Sequence, residues 1–284
     1  MIIDTGLIEL KDDFKIYCNN FPIAKLFAGN NYLNPNFDLI VDDIVNQNYK
    51  QKLNEYINKW IHEKIDNILK SLIDLKNIKD NNSSIKALAY QLYESNGVLK
   101  REQVSEYINK LGQNERKVLR ELGVKFGRYH IFLYQLIKPE AVSLRTLLWK
   151  NYHQKYYNLN PPTFGLNFLN DKEDRNKNFM LLCGFEKFDK LFVRIDILER
   201  LFMLIISAIA KEGNEIKMTP EMLNLLGCSK ENFKMLLKKM NYKVIEKEKE
   251  VLFKYNPIKK LKKTPHKKIS SENPFKILKN LNLR

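Results

Sequence analysis

Apolar residues between Leu53 and Leu75 recur every three or four positions, and lysine and glutamate fill most positions between them. A helix brings residues at that spacing onto one face, so the segment predicts a long amphipathic helix packed against a core. Its apolar positions are Leu53, Ile57, Trp60, Ile61, Ile65, Ile68, Leu69, Leu72 and Leu75. The first half of the chain is therefore expected to be largely helical.

The segment before this helix has a different pattern. Short apolar runs over residues 3–28 are interrupted by the pairs Asp12–Asp13 and Asn19–Asn20, as in β-hairpins. Residues 1–34 are thus predicted to form a small antiparallel β element. A short helix is expected next, with the apolar positions Leu39, Ile40, Ile44 and Val45.

Further helices follow the long one. Three short helices are predicted at residues 85–95, 101–110 and 113–122. Ser83 or Ser84 is expected to cap the first of them, and glycines end the pattern of all three. Another helix is predicted over residues 140–152, so residues 35–156 are assigned to a helical bundle.

The second half of the chain predicts a separate domain. Residues 157–178 carry little periodicity and read as an inter-domain linker, and the new domain is expected over residues 179–255. It begins with two predicted strands, at residues 180–183 and 191–194, and an apolar helix. Two helices and a β-hairpin follow from Thr219, which is the order of elements in a winged helix. No internal repeat is evident in the sequence.

The last segment, residues 256–284, is dominated by positive charge. It contains eight lysines and Arg284 against one acidic residue, Glu272, a net charge of +8 out of +16 for the whole chain. Apolar residues are few until Pro274, so the segment is predicted to be a disordered, lysine-rich tail. The chain as a whole is expected to be mainly α with small β elements, an α+β fold class.

Charge and apolar runs restrict the partners and the location. A net charge of +16, from 49 basic and 33 acidic residues, favours nucleic acid first and an anionic membrane surface second. The sequence begins without a signal-peptide pattern, and its longest apolar run, residues 201–210, is shorter than the about 20 residues that span a bilayer. We therefore expect a cytoplasmic protein without membrane contact.

The common sequence motifs of catalysis are missing. The sequence contains no phosphate-binding G-x-x-x-x-G-K-[ST] loop, no glycine-rich dinucleotide turn and no G-x-S-x-G nucleophile elbow. Its four histidines show no metal-ligand spacing, and its three cysteines form no C-x-x-C pair. No catalytic residue, metal or cofactor is therefore expected, with a nuclease built from scattered carboxylates as the alternative.

Three groups of residues are candidates for contact with nucleic acid. Tail lysines can neutralise phosphates, the helix over residues 232–241 carries lysines outside its apolar stripe, and the run over residues 123–133 mixes cations with aromatics as single-strand binders do. The alternatives are a solubilising tail, an ordinary solvated helix face and aromatic side chains that belong to the core. The candidates are Lys259, Lys260, Lys262, Lys263, Lys267 and Lys268 in the tail, Lys234, Lys238 and Lys239 in the helix, and Lys125, Arg128 and Tyr129 in the run.

Several stretches of the chain resemble one protein family. They are Leu122-Gly-Val-Lys-Phe-Gly-Arg-Tyr-His-Ile-Phe-Leu133 with Leu136-Ile-Lys-Pro139, Ala87-Leu-Ala-Tyr-Gln-Leu92 with Gly97-Val-Leu99, Val193-Arg-Ile-Asp-Ile-Leu-Glu-Arg-Leu201, Thr219-Pro-Glu-Met-Leu223 with Leu226-Gly-Cys-Ser229, and Asn273-Pro-Phe275. Together they are similar to the region that follows the motor in the alphaproteobacterial relatives of the mitochondrial degradosome RNA helicase. That family consists of superfamily 2 ATP-dependent helicases with two RecA-like motor domains.

The resemblance implies a role but no catalytic residue. The phosphate loop and the acidic metal-binding box of the motor have no counterpart in the matching stretches. We therefore expect an accessory region that grips RNA or single-stranded DNA largely through phosphates, beside a helicase motor supplied by another polypeptide. The alternatives are a protein-interaction module that docks a helicase or nuclease, a DNA-binding regulator that uses the winged-helix-like unit, and an enzyme in its own right.

Overall fold

The computed structural model describes residues 8–40, 46–80, 82–171, 174–247 and 250–256. It has an α+β fold in which an antiparallel sheet is followed by helices, as the sequence predicts. The predicted disordered tail and its candidate residues lie outside the described part of the chain; those residues are Lys259, Lys260, Lys262, Lys263, Lys267 and Lys268.

Helices and short strands alternate along most of the described chain. The strands are β1 Ile8–Leu10, β2 Lys15–Cys18, β3 Phe21–Asn31, β4 Asn34–Leu39, β5 Val98–Lys100, β6 Val124–Phe126, β7 His130–Leu133, β8 Phe168–Asn170, β9 Phe185–Phe188, β10 Leu191–Arg194, β11 Ile216–Lys217, β12 Tyr242–Lys247 and β13 Glu250–Tyr255. The α-helices are α1 Gln47–Ile68, α2 Lys70–Lys76, α3 Ser83–Glu94, α4 Ser105–Lys110, α5 Gln113–Glu121, α6 Pro139–Tyr152, α7 Lys177–Leu182, α8 Ile195–Glu212, α9 Pro220–Leu226 and α10 Lys230–Lys239. None of these helices has the length and apolar character needed to cross a bilayer.

The N-terminal sheet is the predicted meander, with strand order β1-β2-β3-β4. Asn19 and Asn20 join β2 to β3 with positive φ angles of 50° and 68°, which a two-residue hairpin turn requires and asparagine tolerates. Strand β4 continues to Leu39, which pairs with Ala24. The sheet therefore extends past residue 34, and the helix predicted to include Leu39 is wrong at that residue.

The long amphipathic segment is helical and buries the predicted face. The residues of α1 that reach the core are Leu53, Ile57, Ile61 and Ile65. The helix is interrupted at Leu69, whose N–H still donates to the Ile65 carbonyl at 2.8 Å, so two helices replace the single one predicted. The predicted serine cap of α3 is wrong, because the Asn82 side chain accepts hydrogen bonds from the N–H groups of Ser84 and Ile85.

Two parts of the chain share one order of elements. The first unit, residues 83–133, runs α3, β5, α4, α5, β6, β7, and its sheet has the order β5-β7-β6. The second unit, residues 195–255, runs α8, β11, α9, α10, β12, β13, and its sheet has the order β11-β13-β12. Each unit is thus helix, strand, two helices and a hairpin, with the last strand in the middle of the sheet. This structural repeat has no counterpart in the sequence patterns.

The region between the units differs from the prediction in two places. Residues 180–182 belong to helix α7 instead of a strand, because Asn176 caps the helix at the N–H of Phe179 and Gly184, with φ of 85°, ends it. The predicted linker contributes strand β8, which pairs with β10. A strand of three residues is too short to show an alternation of apolar and polar residues, so the sequence of this segment resembles that of a loop.

Arg145 of helix α6 is the largest fully buried side chain among the described residues. Its guanidinium donates to the carbonyls of Asn96 at 2.7 Å, Leu136 at 2.6 Å and Leu182 at 2.8 Å. These carbonyls lie after α3, before α6 and at the end of α7. Burial lowers the pKa of Arg145 to about 10, so the group stays charged near neutral pH. One side chain therefore ties the first unit to the segment that precedes the second.

We expect Arg145→Met to lower the free energy of unfolding by roughly 3 kcal/mol or more, because each buried carbonyl left without a donor costs about 1–3 kcal/mol. Chemical denaturation followed by circular dichroism measures the change. Arg200→Met, at an exposed arginine, is the matched control and should leave the midpoint nearly unchanged. Equal midpoints for the two variants would contradict a structural role for Arg145.

Candidate nucleic-acid interface

The turn between β6 and β7 is held by one carboxylate of helix α8. The backbone N–H groups of Arg128, Tyr129 and His130 all donate to Glu199, the latter two at 2.9 Å. The turn is closed by a hydrogen bond from the Gly127 N–H to the His130 carbonyl at 2.8 Å. Glu199 thereby joins the first unit to the second, and we call this arrangement the Glu199 clasp.

The clasp needs a residue without a side chain at position 127, which is Gly127. A methyl group added at this position would overlap the Glu199 carboxylate, which three hydrogen bonds hold in place. Arg101 supports the same turn from the other side, since its guanidinium donates to the Gly127 carbonyl at 2.8 Å. The sequence Gly-Arg-Tyr-His therefore has a local structural reason, independent of any ligand.

Tyr129, a predicted contact residue, lies in the contact between the two units. Its ring meets the Phe202 ring edge-on, with 5.3 Å between centroids, and it packs against the core of the second unit. Burial and the hydrogen bond with Tyr242 raise the pKa of Tyr129. Stacking of this ring on a ligand would require the contact between the units to open.

His130 forms a buried polar network below the clasp. Its Nε2 lies 3.1 Å from Glu186 Oε2, its Nδ1 lies 3.5 Å from Glu199 Oε1, and Lys100 donates to Glu186 at 2.8 Å. Burial opposes the charge of His130, but the two carboxylates outweigh it and raise the histidine pKa. Burial likewise opposes ionisation of Glu186, while His130 and Lys100 lower its pKa. The two carboxylates therefore favour the protonated form of His130, and His130 and Lys100 favour the ionised form of Glu186.

Beside the clasp lies a groove of about 540 Å³ between the β6–β7 hairpin and α8, which we call the α8 groove. Its cations are Arg101, Lys125, Arg128 and Arg200. Its apolar lining comes mainly from Phe126, Tyr134, Phe202, Met203 and Ile206. Two of the predicted contact residues, Lys125 and Arg128, are thus together at one site, with Arg101 and Arg200 added by the fold.

The α8 groove is lined by these four cations and by two carboxylates, Asp196 and Glu199. None of the four cations forms an ion pair with a described residue, whereas Asp196 is held by Arg194 at 2.7 Å and Glu199 by the clasp. Burial and the nearby charges of Arg116 and Arg128 lower the pKa of Arg101, while the charge of Glu199 acts in the opposite direction without outweighing them. Such like-charge crowding is the electrostatic condition for binding an anion.

The lysines of helix α10 have a different environment. Lys234 pairs with Glu246 at 3.0 Å and Lys239 pairs with Asp189 at 2.8 Å. Lys238 is exposed and forms no ion pair with any described residue. The three lysines predicted as one phosphate-binding face therefore offer one unneutralised charge, and the predicted face stays a prediction.

Sequence reasoning missed several residues of the groove. Arg101, Arg200, Met203 and Ile206 are distant from residues 123–133, and only the packing of α8 against the hairpin brings them there. One signal was present, because the apolar run of α8 is too continuous for a helix with a single buried face. Some of its apolar residues had to face away from the core.

Comparisons of the chain with protein families, with curated proteins and with solved structures find no match. Across the described residues, no group of three or more histidine, cysteine, aspartate or glutamate side chains is arranged to hold a metal ion. The α8 groove brings cations that form no ion pair with a described residue beside exposed apolar and aromatic groups.

We expect Glu199→Gln to lower the free energy of unfolding by roughly 2 kcal/mol, because hydrogen bonds to a charged acceptor contribute about 1.5–3 kcal/mol. Gly127→Ala should destabilise the same contact by overlap. Thermal denaturation measures both changes, with Glu55→Gln on the exposed face of α1 as the matched control. Equal melting temperatures for Glu199→Gln and Glu55→Gln would contradict a stabilising role for the clasp.

The His130 network predicts a pH dependence of stability. Because its folded-state pKa is raised, His130 contributes fully below its ordinary value of 6.5 and loses the contribution as pH rises through the raised pKa. Glu186, with a lowered pKa, contributes above its ordinary value of 4.5 and loses this only as pH falls through the lowered pKa. The stability difference between wild type and His130→Gln should therefore be larger near about pH 6 than near about pH 9 in urea denaturation. A pH-independent difference would contradict a charged His130.

Proposed function

We propose that this chain binds single-stranded nucleic acid, RNA foremost, through phosphate contacts in the α8 groove, as an accessory region beside a helicase motor. The observation that carries the proposal is a set of four cations around one groove, Arg101, Lys125, Arg128 and Arg200, none of which forms an ion pair with a described residue. When cationic side chains contact phosphates, they displace the counterions condensed on the nucleic acid, which makes binding favourable and dependent on salt. The net charge of +16 acts in the same direction.

The helicase relationship rests on the sequence resemblance. Two of the resembling stretches, residues 122–133 and 193–201, meet at the Glu199 clasp, since one supplies the three N–H groups and the other the carboxylate. Stretches that are far apart in the chain yet depend on each other in space are consistent with inheritance as one unit. This contact gives the two stretches a shared structural role in this chain, and the helicase relationship itself rests on the sequence alone.

We also infer that both structural units are winged helices. The order of helix, strand, two helices and hairpin, with the last strand in the middle of the sheet, supports this for residues 83–133 and for residues 195–255. In the first unit the hairpin turn is engaged by Glu199, whereas in the second unit α10 exposes Lys238 and Met235. A DNA-binding regulator that uses the second unit therefore remains a second candidate function. Preferential binding of duplex DNA over single strands would identify it.

A protein-interaction module is the other candidate function. The exposed side chains of Met203 and Ile206 favour it, because apolar patches on a surface often mark contacts between proteins. This function would be identified if the chain bound a protein partner independently of salt and had no affinity for nucleic acid. The surrounding cations favour an anionic ligand instead.

We expect the triple variant Lys125→Ala, Arg128→Ala, Arg200→Ala to bind single-stranded RNA more weakly and with less dependence on salt. Loss of three phosphate contacts should reduce the slope of log affinity against log salt by about 2, since each contact to a single strand contributes about 0.7. Fluorescence anisotropy of a labelled RNA, measured between about 50 and 200 mM salt, gives both quantities. A DNA strand of the same sequence tests the expected preference for RNA.

The matched control removes the same charge elsewhere, in Lys52→Ala, Lys86→Ala, Lys110→Ala, three exposed lysines outside the groove. Equal weakening by both triple variants would mean that net charge and not the groove governs binding. A chain ending at Tyr255 separates the contribution of the predicted tail lysines, because any further loss of slope on truncation belongs to them. No binding by the wild-type chain at moderate salt would reject the proposed function.

A further inference from the structure

The floor of the α8 groove is apolar and uncovered. Met203 is 61% exposed, Tyr134 45% and Ile206 42%, although all three line a concave surface. Met203 and Ile206 are three residues apart on α8, so they lie on one side of the helix. Exposed apolar groups that gather in a groove, instead of lying scattered, indicate a ligand with an apolar part.

Two aromatic rings of the groove, those of Phe126 and Phe202, each have a guanidinium group over them, although Arg120 itself does not line the groove. The Arg128 guanidinium lies over the Phe202 ring, 5.5 Å from its centroid, and the Arg120 guanidinium lies over the Phe126 ring at 5.7 Å. Flat rings and guanidinium planes are the surfaces on which nucleobases stack. A ligand bound through phosphates alone would need the cations of the groove but not its floor.

We propose that the α8 groove takes an unstacked nucleobase of a single strand against Met203, Phe202 and Ile206, while the neighbouring phosphates contact Arg128 and Arg200. This inference rests on the proposed function and gives it a ligand class: strands whose bases are unpaired. Bases within a duplex are stacked on each other and have no face to offer the floor. The groove volume of about 540 Å³ lies within the range of about 300–1,000 Å³ typical of small-ligand sites.

Charge complementarity decides between a strand and other occupants of an apolar groove. An apolar peptide segment would bury the floor but leave Arg101, Lys125, Arg128 and Arg200 without partners. A strand of nucleic acid supplies anionic groups at regular intervals and flat apolar faces between them. An acidic amphipathic peptide satisfies both conditions only in part, since it has no flat face for the guanidinium groups.

The test compares two labelled RNA strands of equal length and charge on the full chain, one with all its bases and one with abasic sites throughout. The wild type should bind the complete strand roughly tenfold more tightly, because only the complete strand has bases that can stack on the aromatic groups of the groove. Met203→Ala should weaken the complete strand by about threefold, leave the abasic strand unchanged and leave the salt slope unchanged. Leu166→Ala, which changes an apolar side chain that is 40% exposed and outside the groove, is the matched control and should change neither.

The outcomes separate the two proposals. Equal affinity for both strands, with a steep salt slope, overturns the base site while the proposed function stands. Absence of binding to either strand overturns both. A third arm uses a helical peptide of glutamate and leucine as competitor: if it displaces the strand, and Met203→Ala weakens the peptide but neither strand, the floor serves a protein partner and the base site is wrong.

Discussion

One carboxylate fixes the position of the first structural unit against the second. Glu199 accepts hydrogen bonds from three successive backbone N–H groups of the β6–β7 turn, and hydrogen bonds to a charged acceptor are about twice as strong as those between neutral groups. The clasp sets the distance between the hairpin and α8, which are the two walls of the α8 groove. It also fixes the backbone from which Arg128 projects, so the proposed binding surface depends on an interaction that touches no ligand.

Among the described residues, some of the lysines and arginines form ion pairs with carboxylates and others do not. In the second unit, Lys234 and Lys239 are neutralised by Glu246 and Asp189, whereas the cations of the α8 groove have no carboxylate partner among the described residues. The same residue type therefore has different consequences in the two places, because surface ion pairs contribute little and leave little field for a third partner. The location of the charge carries more information than its total.

Sequence reasoning identified the helices that show an apolar period over several turns and the short helices that a glycine follows, but it missed other short elements. Helices α1, α6, α8 and α10 repeat their apolar residues over several turns, so the pattern identified them. Strand β8 has three residues and α7 has six, too few for a period, and each is stabilised by partners elsewhere in the chain. In the candidate site, Lys125 and Arg128 were found because they are neighbours in sequence. Arg101, Arg200 and Met203 were not, because only tertiary packing brings them together.

The aromatic and basic run at residues 125–130 shows why such a run in a sequence does not by itself predict a single binding surface. It reads as one surface in sequence, yet the hairpin divides it: Lys125 and Arg128 are exposed, Tyr129 packs against the second unit and His130 is buried with Glu186. Arg128 and Tyr129 lie in the turn between the two strands, where one side chain is exposed and the next packs against the second unit, so cations and aromatics that are adjacent in the chain need not share a ligand. If a base is held at this site, the apolar contacts must come chiefly from α8, where Phe202 and Met203 lie beside the exposed cations. Binding then requires both units at once, which makes the contact between them part of the proposed function.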